Sequence, residues 1–146
     1  MINDIEKVYY SEEVLQSIVE RLGKQISEDY KDKNLLLVSV LKGSVIFMAD
    51  LMRNINLECE IDFMAVSSYS GTETTGVVKI KKDMDVNPEG RDIIIVEDIL
   101  DSGNTLYFLK EMLESRGAAS VRLCTFMQKP ARLKKPITPD YNGFVV

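Results

Sequence analysis

Ile93-Ile94-Ile95-Val96-Glu97-Asp98-Ile99-Leu100-Asp101-Ser102-Gly103-Asn104-Thr105 opens on four β-branched residues and closes on a run of small polar ones. A strand covered on both faces has no reason to alternate polar and apolar positions, so residues 93–96 predict a buried parallel strand. Glu97 and Asp98 fall where that strand is expected to end. Leu106, Leu109, Met112 and Leu113 then recur at helical spacing. The order is strand, acidic pair, short loop, helix. Ligands of open α/β sheets bind at the carboxyl ends of strands. A helix that starts among small residues offers unpaired N–H groups and the positive end of its dipole to an anion. Carboxylates beside such a loop suit the diol of a sugar or a hydrated divalent cation. Together they point to a ribose phosphate.

The pattern repeats on both sides of this unit. Ser11-Glu12-Glu13 can cap a helix whose apolar positions are Val14, Leu15, Ile18, Val19, Leu22 and Ile26. Residues 34–41 read as a second buried strand. Lys42-Gly43-Ser44 turns it into a helix, with Val45, Met48, Leu51, Met52 and Ile55 expected to face inward. Residues 60–67 read as a strand, 68–76 as a flexible loop rich in hydroxyl residues and glycine, and 77–80 as a short strand. Asn87-Pro88-Glu89-Gly90 is a turn, and 121–127 is the last clear strand. Strands alternating with helices predict an α/β fold: a mainly parallel, twisted sheet with helices on both faces.

Composition narrows the function. A chain of 146 residues with 45% hydrophobic and 28% charged residues is expected to form one globular domain. The net charge of −5 argues against general affinity for nucleic acid or acidic membranes. Cys59 and Cys124 stand far apart and there is no histidine, which speaks against a zinc site, a disulfide framework and a Cys–His nucleophile. Acid–base work therefore falls to Asp, Glu, Lys or Tyr. No signal-like apolar segment opens the chain and no apolar run reaches membrane-spanning length, so a cytoplasmic protein is expected.

From Glu97 to Thr105 the chain carries two acids, two apolar residues, Asp, a hydroxyl residue, Gly, a variable residue and Thr. This resembles the 5-phosphoribosyl-1-pyrophosphate motif of type I phosphoribosyltransferases. Three further elements extend the resemblance to the hypoxanthine(-guanine) branch of that family, over residues 9–144. Leu41-Lys42-Gly43 is similar to its pyrophosphate loop, in which the peptide bond before the lysine is often cis. Ser68-Tyr69 is similar to the Ser-Tyr pair of the flexible lid that closes over the active site. Lys129, in Gln128-Lys129-Pro130 after the last strand, stands where the family's lysine donates to the exocyclic oxygen of the base.

The resemblance implies an Mg2+-dependent enzyme of purine salvage. It would transfer the 5-phosphoribosyl group from 5-phosphoribosyl-1-pyrophosphate to N9 of hypoxanthine, and of guanine, giving IMP or GMP and pyrophosphate. Asp101 is then the catalytic base. Glu97, Asp98, Asp101, Ser102, Gly103, Asn104 and Thr105 hold the ribose phosphate, with Glu97 and Asp98 at the metal. Lys42 and Gly43 bind pyrophosphate, Ser68 and Tyr69 belong to the lid, and Lys129 and Phe144 meet the purine. A lysine there favours a 6-oxopurine over adenine, whose amino donor would leave the ammonium unpaired. Homodimers or homotetramers are the family's usual assemblies. Asp140-Tyr141-Asn142-Gly143-Phe144 matches a motif after which the family continues with a base-stacking aromatic and a second-magnesium aspartate. The expectation is thus a single domain, 1–146, lacking part of that C-terminal segment, with weak base binding. The alternatives are transfer to another base, xanthine or a pyrimidine, and a nucleotide-sensing regulator of the same fold. The acidic balance counts against the last.

Overall fold

The computed structural model describes residues 11–68 and 78–146. Its frame is a six-stranded sheet: β1 (Leu35–Leu41), β2 (Glu60–Ser68), β3 (Val78–Lys82), β4 (Asp92–Leu100), β5 (Ser120–Gln128) and β6 (Tyr141–Val145), in the order β3-β2-β1-β4-β5-β6. Every neighbouring pair is parallel except β2 with β3. The helices are α1 (Glu12–Asp29), α2 (Val45–Arg53) and α3 (Asn104–Ser115).

The unbroken apolar runs of β1 and β4 serve two cores at once, because successive side chains leave a strand on opposite faces. Leu35, Leu37, Ile94 and Val96 pack with Leu22 and Ile26 of α1 and with Phe47, Met48 and Leu51 of α2. Leu36, Val38, Ile93 and Ile95 pack with Leu106, Leu109 and Leu113 of α3 on the other side. Each such fully buried aliphatic side chain stabilises the fold by about 1.5–3 kcal/mol. The mainly parallel sheet with helices on both faces is as the sequence predicts. The cap of α1 is too: Ser11 Oγ accepts from the Val14 N–H at 3.2 Å.

Three expectations are corrected, and one element is added. Strand β4 does not end before the acids but runs on to Leu100, because Glu97, Ile99 and Leu100 keep their partners Thr125, Met127 and Gln128 on β5. Helix α2 turns Phe47, Met48 and Leu51 inward and leaves Val45 and Met52 exposed. A sixth strand, β6, went unforeseen; Cys124 to Gln128 recruit Tyr141 to Val145 as a parallel edge. Cys59 and Cys124 are both expected from the sequence to be buried and reduced; Cys124 is buried, Cys59 is only partly so, and both thiols are free.

Candidate functional site

Strand β1 lies beside β4 only from Leu35–Asp92 to Ser39–Val96. Past Val96, β4 is flanked by β5 alone, and a crevice opens. Strands β1 and β2 extend the sheet to one side of it and β4 and β5 to the other, so it is the point where strand order reverses. Residues 42–44 lead from β1 to α2 on one face, and residues 101–103 from β4 to α3 on the other.

Both helices that start at this crevice do so without a side-chain cap and without an acid in the first turn. Helix α1, away from it, is capped by Ser11 and begins with Glu12 and Glu13. Ser44, at the head of α2, is buried and turned inward: its hydroxyl donates to the Val40 carbonyl and lies 2.7 Å from Ser39 Oγ. Gly103, at the head of α3, has φ +86°, a backbone state that other residues resist. A β-carbon there would also stand 3.0 Å from Leu133 and 3.1 Å from Ile137. Ser102 Oγ accepts from the Asn104 N–H at 3.3 Å. Two helix N-termini without a side-chain cap or an acid in the first turn suit an anion.

Lys42 and Gly43 are exposed, and the Leu41–Lys42 peptide bond is cis. Gly43 lies directly beneath Asp98, whose Oδ2 is 3.1 Å from where a β-carbon would be. The lysine–glycine loop and the acidic pair thus adjoin. Glu97 Oε1 accepts from the Asp98 N–H at 3.0 Å. Burial, reinforced by a hydrogen bond with the Asp98 carboxyl, pushes Glu97 up to about 9. A cation beside the pair would offset that burial cost and favour the ionised carboxylate. Among the described residues no cluster of three or more Asp, Glu, Cys or His side chains is arranged to cage a metal. Two adjacent carboxyls fit Mg2+, which is usually held by one or two carboxylates together with substrate oxygens and water.

Asp101, half-exposed, accepts a hydrogen bond of 2.5 Å from Arg132 Nε. Lys129 follows β5, and its N–H donates to the Leu100 carbonyl at 3.0 Å. The chain then forms a 3-10 turn, Pro130–Arg132, and folds over the phosphate-sized loop, where the Lys134 N–H donates to the Ser102 carbonyl at 2.8 Å. The crevice therefore brings together Lys42, Gly43, Glu97, Asp98, Asp101 to Thr105 and Lys129. Phe144 sits near the end of β6, edge-on to Phe126 with ring centres 5.3 Å apart. Ser68 ends β2, and Tyr69 with the loop to Gly76 lies outside the described residues.

Arg132 is the site residue that the sequence hid. Together with Lys134 and Lys135 it reads as a solvated charge, yet it is paired with Asp101. Only its place three residues after Lys129, behind Pro130, could have hinted at this. Lys135 likewise is engaged, its ammonium 5.5 Å from the Tyr107 ring centre.

Residues 9–146 match the model of the phosphoribosyl transferase domain. The chain is 50% identical over 150 residues to the hypoxanthine-guanine phosphoribosyltransferase of Streptococcus pyogenes serotype M3, covering 98% of this chain and 83% of that protein. A crystal structure of a hypoxanthine phosphoribosyltransferase from Staphylococcus aureus superposes with a TM-score of 0.88 at 44% identity, over 92% of this chain and 73% of that one. A hypoxanthine-guanine phosphoribosyltransferase from Bacillus anthracis, with HEPES in its active site, gives a TM-score of 0.89 at 46% identity, over 94% and 82%.

Proposed function

The chain belongs to the phosphoribosyl transferase domain family, and from that membership we propose the reaction it performs and the residues that perform it. It is a hypoxanthine phosphoribosyltransferase of purine salvage: it transfers the phosphoribosyl group of 5-phosphoribosyl-1-pyrophosphate to N9 of a 6-oxopurine and releases pyrophosphate. One observation carries the residue-level reading, namely the close approach of Gly43 to Asp98, which joins the lysine–glycine loop to the acidic pair at the strand-order switch.

In this reading the 5-phosphate lies at the head of α3, held by the backbone N–H groups and hydroxyls of residues 101–105. Glu97 and Asp98 take the ribose hydroxyls and hold Mg2+. When bound, that ion would supply positive charge for the leaving pyrophosphate. Lys42 adds its ammonium to the same leaving group, and Gly43 lets the backbone come close. The bond from C1 to the pyrophosphate oxygen breaks as N9 bonds to C1, and Asp101 accepts the proton that N7 gives up. Fixed charges and dipoles aimed at the place where charge develops are the main source of acceleration in a site of this kind. Lys129 donates to the exocyclic oxygen of the base, which supports hypoxanthine and guanine over adenine.

Phe144 as a purine-stacking residue and Ser68-Tyr69 as part of a lid belong to the same proposal, as do the single-domain organisation, a cytoplasmic setting and self-association into dimers or tetramers. The exposure of Val45 and Ile46 on α2 supports the association. No described helix is long and apolar enough to cross a membrane.

The test is a nucleotide-formation assay with 5-phosphoribosyl-1-pyrophosphate, Mg2+ and each of hypoxanthine, guanine, xanthine, adenine and uracil. IMP and GMP should form, and AMP and UMP should not. Absence of any purine nucleotide, or preference for a pyrimidine, would overturn the reading.

A further inference from the structure

The pair formed by Arg132 and Asp101 has no evident part in holding the fold. Their side chains are 66% and 47% exposed, and ion pairs of that kind add little to stability. Its geometry is nevertheless specific. The donor is Nε, and it bonds Oδ1 at 2.5 Å. Oδ2 has no hydrogen-bond partner among the described residues. Arg132 is itself held in place. Its N–H donates to the Lys129 carbonyl at 3.1 Å, closing the 3-10 turn, and the Lys129 N–H donates to the Leu100 carbonyl, one residue before Asp101. Leu133 and Ile137 pack onto Gly103, and the Lys134 N–H is tied to Ser102. The segment that carries Lys129 therefore grips the loop that carries Asp101 at three points, and Arg132 is the side chain that spans them.

We propose that Arg132 is a positioning residue: it occupies one oxygen of the Asp101 carboxylate and so presents the other to N7 of the purine held by Lys129. The proposal rests on the reaction assigned above. An aspartate has two side-chain torsions, and a half-exposed one samples several rotamers in water. A bond to a planar guanidinium whose backbone is anchored removes that freedom before the purine arrives. It also ties the base-reading lysine and the proton-accepting carboxylate into one unit, so that a purine correctly seated on Lys129 finds Asp101 already aimed. Misplacement of a catalytic group by an ångström costs on the order of 100-fold in rate.

The experiment is steady-state kinetics on the full chain carrying R132Q, R132K, D101N and the D101N/R132Q pair. The wild type is assayed first with hypoxanthine. No nucleotide from the wild type removes the assigned reaction itself, whereas every later outcome addresses Arg132 alone. R132Q should lower kcat by about 10- to 100-fold, with KM for 5-phosphoribosyl-1-pyrophosphate and the melting temperature unchanged. R132K should recover part of that loss. In the D101N background, R132Q should change the remaining rate less than about two-fold, since there is no proton acceptor left to aim. If D101N is too slow to measure, methylguanidinium added to R132A decides the matter: restored turnover supports the role and no restoration opposes it. An R132Q enzyme with wild-type kcat and a raised KM for the ribosyl donor would assign Arg132 to phosphate binding and overturn the proposal. So would an R132Q loss of equal size with and without Asp101.

Discussion

A β-carbon on Gly43 would stand 3.1 Å from Oδ2 of Asp98, so the loop after β1 and the acids of β4 cannot change independently. The backbone of Gly43 does not have a positive φ, and alanine is tolerated there as far as the chain itself is concerned. The substitution instead forces the Asp98 carboxylate to give by a few tenths of an ångström. Gly43→Ala should raise KM for 5-phosphoribosyl-1-pyrophosphate by about 10-fold, equivalent to about 1.4 kcal/mol of lost binding, and leave the melting temperature almost unmoved. An unchanged KM would show that the contact has no bearing on substrate.

How far the sequence discloses this site depends on which force writes it. Four β-branched residues at 93–96 announce a strand buried on both faces, because desolvation acts on each residue separately. Gly103 announces a turn, because only glycine accepts φ +86° at so little cost. The end of β4 is not legible in the same way. Whether Glu97 to Leu100 stay extended is settled by Thr125 to Gln128 on β5, which are distant in sequence. The same holds for β6, an edge strand whose Tyr141 to Val145 form a strand only because β5 offers a free side. Arg132 shows the limit most clearly. A charged residue in a polar segment reads as solvated, and only the folding of residues 129–134 onto the loop at 101–103 brings it to Asp101.

Glu97 gives the site a stability cost with a definite pH dependence. Its carboxyl is raised from 4.5 to about 9 chiefly by burial, so the folded protein keeps a proton that the unfolded chain releases. The cost is absent below about pH 4 and grows as pH rises toward 9, because the unfolded state then binds fewer protons. Glu97→Gln removes this dependence. Without Mg2+ or substrate, the variant should melt with the wild type near pH 4 and increasingly above it toward pH 8, by up to ~1.4 kcal/mol per pH unit, with nucleotide formation strongly reduced. Thermal melts across that range decide it; a difference that does not grow with pH would mean the carboxyl is solvated.

Tyr141 ties the start of β6 to the end of α1. Its hydroxyl donates to Asp29 Oδ2 at 2.6 Å and accepts from Arg122 at 3.1 Å, and Arg122 lies 5.6 Å from the Tyr30 ring centre. The Tyr30 hydroxyl, by contrast, is buried and has no hydrogen-bond partner among the described residues. Burial holds it up to about 12, so it stays neutral. The two phenols therefore predict opposite results. Tyr141→Phe should destabilise by about 1–2 kcal/mol, because Asp29 loses its donor. Tyr30→Phe should be neutral or slightly stabilising. Urea unfolding of both variants gives the comparison, and equal losses would contradict the assignment of partners.

Asp83, just after β3, and Arg116, at the end of α3, form two parallel bonds of 3.0 Å each. The guanidinium hydrogen bond holds the Asp83 carboxyl below its usual range, with its partial burial opposing. A carboxylate lowered in the folded state contributes stability above its unfolded value, near pH 4, and loses it as pH falls through the folded value. The pair is 45% exposed at Asp83 and 33% at Arg116, so solvent screening keeps its worth to about 0.5–1 kcal/mol even with two-point geometry. Arg116→Gln should therefore lower the melting temperature at pH 7 by about 1–4 °C, less in 1 M salt, and by almost nothing at pH 2.5. Turnover at saturating substrate should hold, since the proposed phosphate site lies at the opposite end of α3. A deficit that persists unchanged at pH 2.5 would mean that Arg116 acts through its aliphatic packing rather than its charge.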